Sequence, residues 1–194
     1  MKRPWTLLFA ALLLAASVPK ASADPLEIPL PELVGAYPFD HLFAIERTVP
    51  LVLPSAPSMI RGAWMRVRGT VTVGSQDCPS GPMVIGLETQ GVMLDDASHF
   101  WLADGFLPFE SGPFTWLRPY ETFPLIGPAN WDFLLDGRGD LMLRVVPTEN
   151  PIETCGNEHW PNAQFDEVTF IIDADFPVPA GPATWGRLKA FYRK

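Results

Sequence analysis

Basic residues, histidine and cysteine are all scarce in this chain, and each shortage removes a class of function. Its 194 residues hold 14 Lys and Arg against 22 Asp and Glu, with only three His. A surface of that sign repels phosphate backbones and anionic headgroups, so nucleic acid and membrane surfaces are not expected partners. The histidines, His41, His99 and His159, share no spacing that would hold a metal. Gly-x-Ser-x-Gly, phosphate-loop and dinucleotide glycine patterns are missing as well. No apolar run reaches the roughly 20 residues that a spanning helix needs, so no membrane span is expected.

The longest apolar run, 7–16, lies near the start. Lys2 and Arg3 precede it and Ala21-Ser22-Ala23 follows it. A short positive stretch, an apolar run and a small-residue cleavage site form a secretory signal peptide, 1–23, cut after Ala23. The other reading of such a run is a membrane anchor, but this one is about half the length required. The residue directly after the cut is Asp24, not a cysteine, which argues against a lipid anchor. The expected location is secreted or periplasmic. The mature chain would keep 11 basic residues against 22 acidic ones, a net charge of −11.

The only two cysteines are Cys78 and Cys155. In an oxidising compartment an even count reads as one bridge. Such a bridge closes a loop of about 80 residues, worth about 4 kcal/mol by chain entropy. Each cysteine follows an expected strand, one ending near Val73 and one near Val146. Those strands should therefore end close together and should not be antiparallel partners.

What the chain has in quantity is proline, 22 residues of it. Proline at that density breaks helices and marks turns. Between the prolines lie short runs rich in Val, Phe, Trp and Thr. In 64–73, Met65, Val67, Val71 and Val73 share one face, while Trp64, Arg66, Arg68, Thr70 and Thr72 share the other. That is the period of a half-buried strand. Residues 131–135 and 141–146 read as a hairpin with Trp131, Phe133 and Leu135 in phase, then Leu141, Leu143 and Val145. The turn is 136–140, with two glycines. In 167–173, Val168, Phe170 and Ile172 point inward. Weaker runs are 42–52, 83–87, 92–94, 114–117 and 188–192. In the last of these, Trp185, Leu188 and Tyr192 also fit a helical spacing.

About eight short strands without an internal repeat predict an all-β fold: an antiparallel two-sheet β-sandwich of jelly-roll type with little helix. The expected organisation is an extended, Pro-rich N-terminal segment over 24–40 and a single sandwich domain over 41–194.

No cofactor is called for, and calcium is the one ion the Asp loops could take. Those loops are Asp95, Asp96 and Asp104, then Asp136 and Asp140, then Asp173 and Asp175; none has the spaced pattern of an EF-hand. Asp also favours turns in its own right, by bonding its own backbone. Arg138-Gly139-Asp140 reads as an adhesive tripeptide, although any turn would use Gly and Asp.

Six tryptophans follow the expected cleavage site. An exposed indole is a flat apolar plate with a polar handle, on which sugar rings stack. Trp64 shares its strand face with Arg66 and Arg68, and Trp101 and Trp160 stand in loop-like stretches as a rim. These five residues are the candidate ligand surface. The leading expectation is a non-enzymatic exported protein that binds an extracellular glycan or surface protein. A structural envelope or matrix component is the second reading. The third is a secreted hydrolase with two carboxylates brought together by the fold, one of them with a raised pKa.

Overall fold

The structure, a computed structural model, describes residues 24–40, 43–78, 81–94, 100–123, 134–148 and 156–177. These form antiparallel sheets and one 3-10 turn, Pro31–Leu33. The first sheet holds β1 (Leu26–Pro29), β2 (Gly35–Pro38), β4 (Met59–Thr72), β9 (Gly112–Pro119) and β13 (Asn162–Asp175). The second holds β3 (Ile45–Val52), β7 (Leu87–Leu94), β8 (Phe100–Phe106), β10 (Glu121–Phe123) and β11 (Arg138–Pro147). A small third sheet joins β5 (Gly74–Cys78), β6 (Gly81–Ile85) and β12 (Gly156–His159).

The first sheet runs β1–β13–β4–β9, with β2 also on β13, and the second runs β10–β8–β7–β11–β3. Late strands therefore sit between early ones in both sheets: β13 between β1 and β4, β11 between β3 and β7. Strands switch sheets from β3 to β4, from β8 to β9 and from β9 to β10. This interleaving is the expected all-β, jelly-roll sandwich.

Period-two patterning explains the core. On β4 the buried residues are Ala63, Met65, Val67 and Val71. On β13 they include Val168, Phe170 and Ile172, and on β11 Leu141, Leu143 and Val145. Side chains from both sheets meet in one apolar cluster with Leu51, Leu87, Met93, Trp101 and Trp116. Each such burial contributes about 2 kcal/mol.

Several sequence-based expectations change. The extended segment 24–40 is part of the first sheet: β1 and β2 pair with β13, and Tyr37 is fully buried. Tyr37 donates a hydrogen bond to the Leu33 carbonyl at 2.7 Å, and Arg47 stacks 4.1 Å from its ring. Val73 falls outside β4 and is only half-buried. In the expected hairpin the phase slips by one: Leu134, not Leu135, is fully buried. The cause is a tight turn over 134–137, with Gly137 N–H bonded to the Leu134 carbonyl at 2.9 Å. Turn geometry does not keep the two-residue alternation of a strand. Arg138-Gly139-Asp140 does not sit on a turn tip either. It opens β11, paired with Val52, Leu51 and Pro50 of β3. β4 and β11 lie in opposite sheets and are not partners, as the cysteine argument requires. Residues 131–133, 188–192, Trp185, His41, His99, Asp95, Asp96 and Cys155 lie outside the described residues.

β4 and β13 pair along almost their whole lengths, with irregularities between Phe165 and Glu167 and between Asp173 and Ala174. At the first of these the backbones close in on Gly69, where a Cβ would stand 2.0 Å from the Gln164 carbonyl oxygen. Only glycine fits there. Gly69→Ala is expected to cost about 3 kcal/mol of stability or more, because the clash is with backbone. Urea unfolding of the two proteins measures it, and a loss within error would mean the ladder has room to shift.

Candidate functional site

The outer face of the first sheet carries three of the five expected site residues. β4 presents Gly62, Trp64, Arg66, Arg68 and Thr70 outward, because the alternate residues Ala63, Met65, Val67 and Gly69 face in and are buried. Register places Pro119 of β9 on one side of Trp64 and Ile171 of β13 on the other. Leu117 is half exposed and pairs with Arg66. Trp64 is itself half-buried. Its ring lies back along its own strand over Gly62, whose missing Cβ would stand 3.0 Å from the indole edge. The indole thus reaches back over Gly62, with Pro119 and Ile171 beside Trp64 in register and Leu117 on the neighbouring strand.

Ion pairs flank this plate on both sides. Arg66 Nη1 and Nη2 donate to the two Glu27 carboxylate oxygens at 3.0 and 2.7 Å, and its Nε donates to Glu167 at 2.9 Å. Arg68 donates to the other Glu167 oxygen at 3.0 Å, and Thr169 donates its hydroxyl to Glu167 at 3.1 Å. Thr169 is buried under this network although it points outward. On the other side Arg61 donates from Nε to Asp173 at 2.9 Å and stands 3.0 Å from Asp175. The network ties β1, β13 and β4 together. It also commits the Arg66 donors, so Arg66 does not offer itself to a ligand as the sequence implied.

The electrostatics follow from the geometry. Arg66 hydrogen bonds hold the Glu27 carboxyl below its ordinary value, against a small burial effect. Partial burial pushes Glu167 up, but hydrogen bonds from Arg66 and Thr169 and the charges of Arg66 and Arg68 outweigh it and leave the carboxyl lowered. Carboxyls held ionised in this way are the reverse of the raised, protonated acid that the hydrolase reading needs.

The remaining candidates are elsewhere. Trp101 is buried, with 1% exposure, on the inner face of the second sheet, so it is core and not a rim plate. Its position just after the stretch 95–99, beside His99, made it look like a loop residue; its place opposite Met93 decides its role. Trp160 follows β12 and packs against the core, half-buried, away from the Trp64 register. His159 is exposed on β12. Asp173 and Asp175 already have a cation, Arg61, between them, which leaves no role for calcium there. The Asp136 carboxylate accepts the Arg138 N–H at 2.8 Å, an ordinary turn bond. Among the described residues no group of three His, Cys, Asp or Glu could hold a metal, and no helix is long and apolar enough to cross a membrane.

Sequence reasoning missed Gly62, Leu117, Pro119 and Ile171. Ile171 carried a signal: it is an apolar residue out of phase with Val168, Phe170 and Ile172. The others become neighbours of Trp64 only through strand register.

Both carboxyls have folded pKa values below the ordinary 4.5. Their stabilising effect is therefore complete above that value and is lost as pH falls through the folded pKa values. Arg66→Met should be less stable than the parent at about pH 7 and should lose less on acidification to about pH 3. Denaturant titrations at the two pH values check this; an unchanged acid slope would show that Arg66 does not set these carboxyls.

Compared with known protein families, with characterised proteins and with solved structures, the chain gives no match.

Proposed function

We propose that this is an exported, non-catalytic binding protein whose ligand surface is the outer face of the first sheet, centred on Trp64. The observation that carries the reading is the half-buried indole of Trp64 on the outer face of a sheet, reaching over Gly62. A pyranose ring stacks on such a plate through its C–H face. Around it the charges nearly cancel: Arg61, Arg66 and Arg68 against Glu27, Glu167, Asp173 and Asp175. Such a surface suits a neutral glycan better than an anionic one. The exposed Glu27 carboxylate and the uncommitted Arg68 donors can bond sugar hydroxyls at the plate's edge.

Export, with cleavage after Ala23, fits a bridge between Cys78 and Cys155. Asp77 of β5 stands opposite Gly156 of β12. No free cysteine occurs among the described residues.

Two measurements test these readings. On an array of neutral glycans, Trp64→Ala should lose affinity about tenfold or more while its circular dichroism is unchanged. Equal binding by parent and variant would remove the plate from the site. Replacing both cysteines by serine should lower stability by about 4 kcal/mol, and intact mass of the alkylated, unreduced parent should show no added label. Two labels per chain would exclude the bridge.

A further inference from the structure

A second polar site lies between the sheets, away from the Trp64 face. The described part of β10 pairs with β8 only at Phe100, Trp101 and Leu102. The edge of β8 at 103–106 is thus beyond that pairing and faces β9, the edge strand of the first sheet. At this seam two glycines occupy inward positions of the second sheet, Gly91 on β7 and Gly105 on β8. Glycine inside a strand often marks close approach of other groups, and here those groups are side chains of the first sheet and of Tyr120. A Cβ on Gly105 would stand 2.7 Å from Arg118 Nε and 3.3 Å from Trp116 Nε1. One on Gly91 would stand 2.6 Å from the Met65 sulfur and 2.7 Å from the Tyr120 hydroxyl. Thr89 is the direct cross-strand partner of Gly105.

Three of these groups are buried with no hydrogen-bond partner: the Thr89 hydroxyl, the Trp116 indole N–H and the Tyr120 hydroxyl. Thr89 is 0% exposed, and Trp116 and Tyr120 are 4% exposed. Orphaned buried donors are destabilising and rarely occur together without cause. Arg118 beside them is exposed and takes part in none of the ion pairs among the described residues. An unpaired guanidinium is conspicuous on so acidic a chain. The side chains of Thr89, Trp116, Arg118 and Tyr120 can each donate a hydrogen bond. Burial raises the Tyr120 phenol far above its ordinary value, so it stays a neutral O–H donor. An oxyanion with lone pairs for several donors is the complement of this arrangement.

We propose that the seam formed by Thr89, Gly105, Trp116, Arg118 and Tyr120 binds a carboxylate, with Arg118 supplying the charge and the buried N–H and O–H groups completing its hydrogen bonds. The carboxylate could belong to a free small acid or to an acidic sugar.

Proton–nitrogen correlation spectra of the mature, oxidised protein resolve the indole N–H signals, and loss of one peak in Trp116→Phe assigns that residue. Sodium acetate and sodium glucuronate are then titrated at ionic strength fixed with sodium chloride. Saturable movement of the Trp116 signal with both salts supports the site and identifies a free carboxylate as sufficient. Movement with glucuronate alone supports it and identifies an acidic sugar. No movement, or equal movement with chloride, overturns it. Arg118→Gln should weaken the response about tenfold by removing a charged donor, and an unchanged response overturns the proposal. Tyr120→Phe should leave the unliganded protein as stable as the parent or more so, since it removes an orphaned hydroxyl, and should weaken binding. A lower melting temperature would mean that the hydroxyl is already satisfied inside the fold, which counts against the site.

Discussion

The pairing of β4 with β13 is the constraint on which the rest depends. It is the most extensive ladder among the described residues, running from Asn162 opposite Thr72 to Asp175 opposite Met59. Its inner face supplies Met65, Val67, Phe165, Phe170 and Ile172 to the core. Its outer face carries Trp64 and the arginines. β1, β2 and β9 reach the sheet only through these two strands. A slip of one residue would exchange the two faces and bury Arg66 and Glu167 where Val67 and Val168 now sit. The close contact at Gly69 helps to exclude that slip.

The polar groups divide into two kinds. On the outer face each guanidinium near Trp64 has its carboxylate, so the ions hold strands together at modest net benefit and leave the indole as the distinctive feature. At the seam between β8 and β9 the polar groups lack partners, which lowers stability unless something binds there. Natural proteins tolerate such deficits where function needs them.

Alternation was the legible part of the sequence. Residues 64–73, 141–146 and 167–173 have inner and outer faces assigned correctly from period two alone, apart from Val73 and the buried Thr169, and their number and the prolines between them implied a sandwich. The misreadings share one cause, long-range register. β1 and β2 are short and proline-rich, and only β13 makes strands of them. Trp101 looks like a loop residue until Met93 is found opposite it. Leu134 takes the place expected of Leu135 because a turn, not a strand, precedes β11. The seam was invisible because Thr89, Gly105 and Trp116 come from three strands and follow no motif spacing.

The central claim is that the β4–β13 ladder presents Trp64, rather than Trp101, Trp116 or Trp160, as the contact for a neutral glycan. The most direct test follows all six indole N–H signals of the mature protein while a neutral glycan selected on an array is added. The account predicts that the Trp64 signal moves and saturates, while those of Trp101 and Trp116 stay fixed in the core. Movement of Trp101 or Trp160 with Trp64 unchanged would contradict it and place the ligand surface elsewhere.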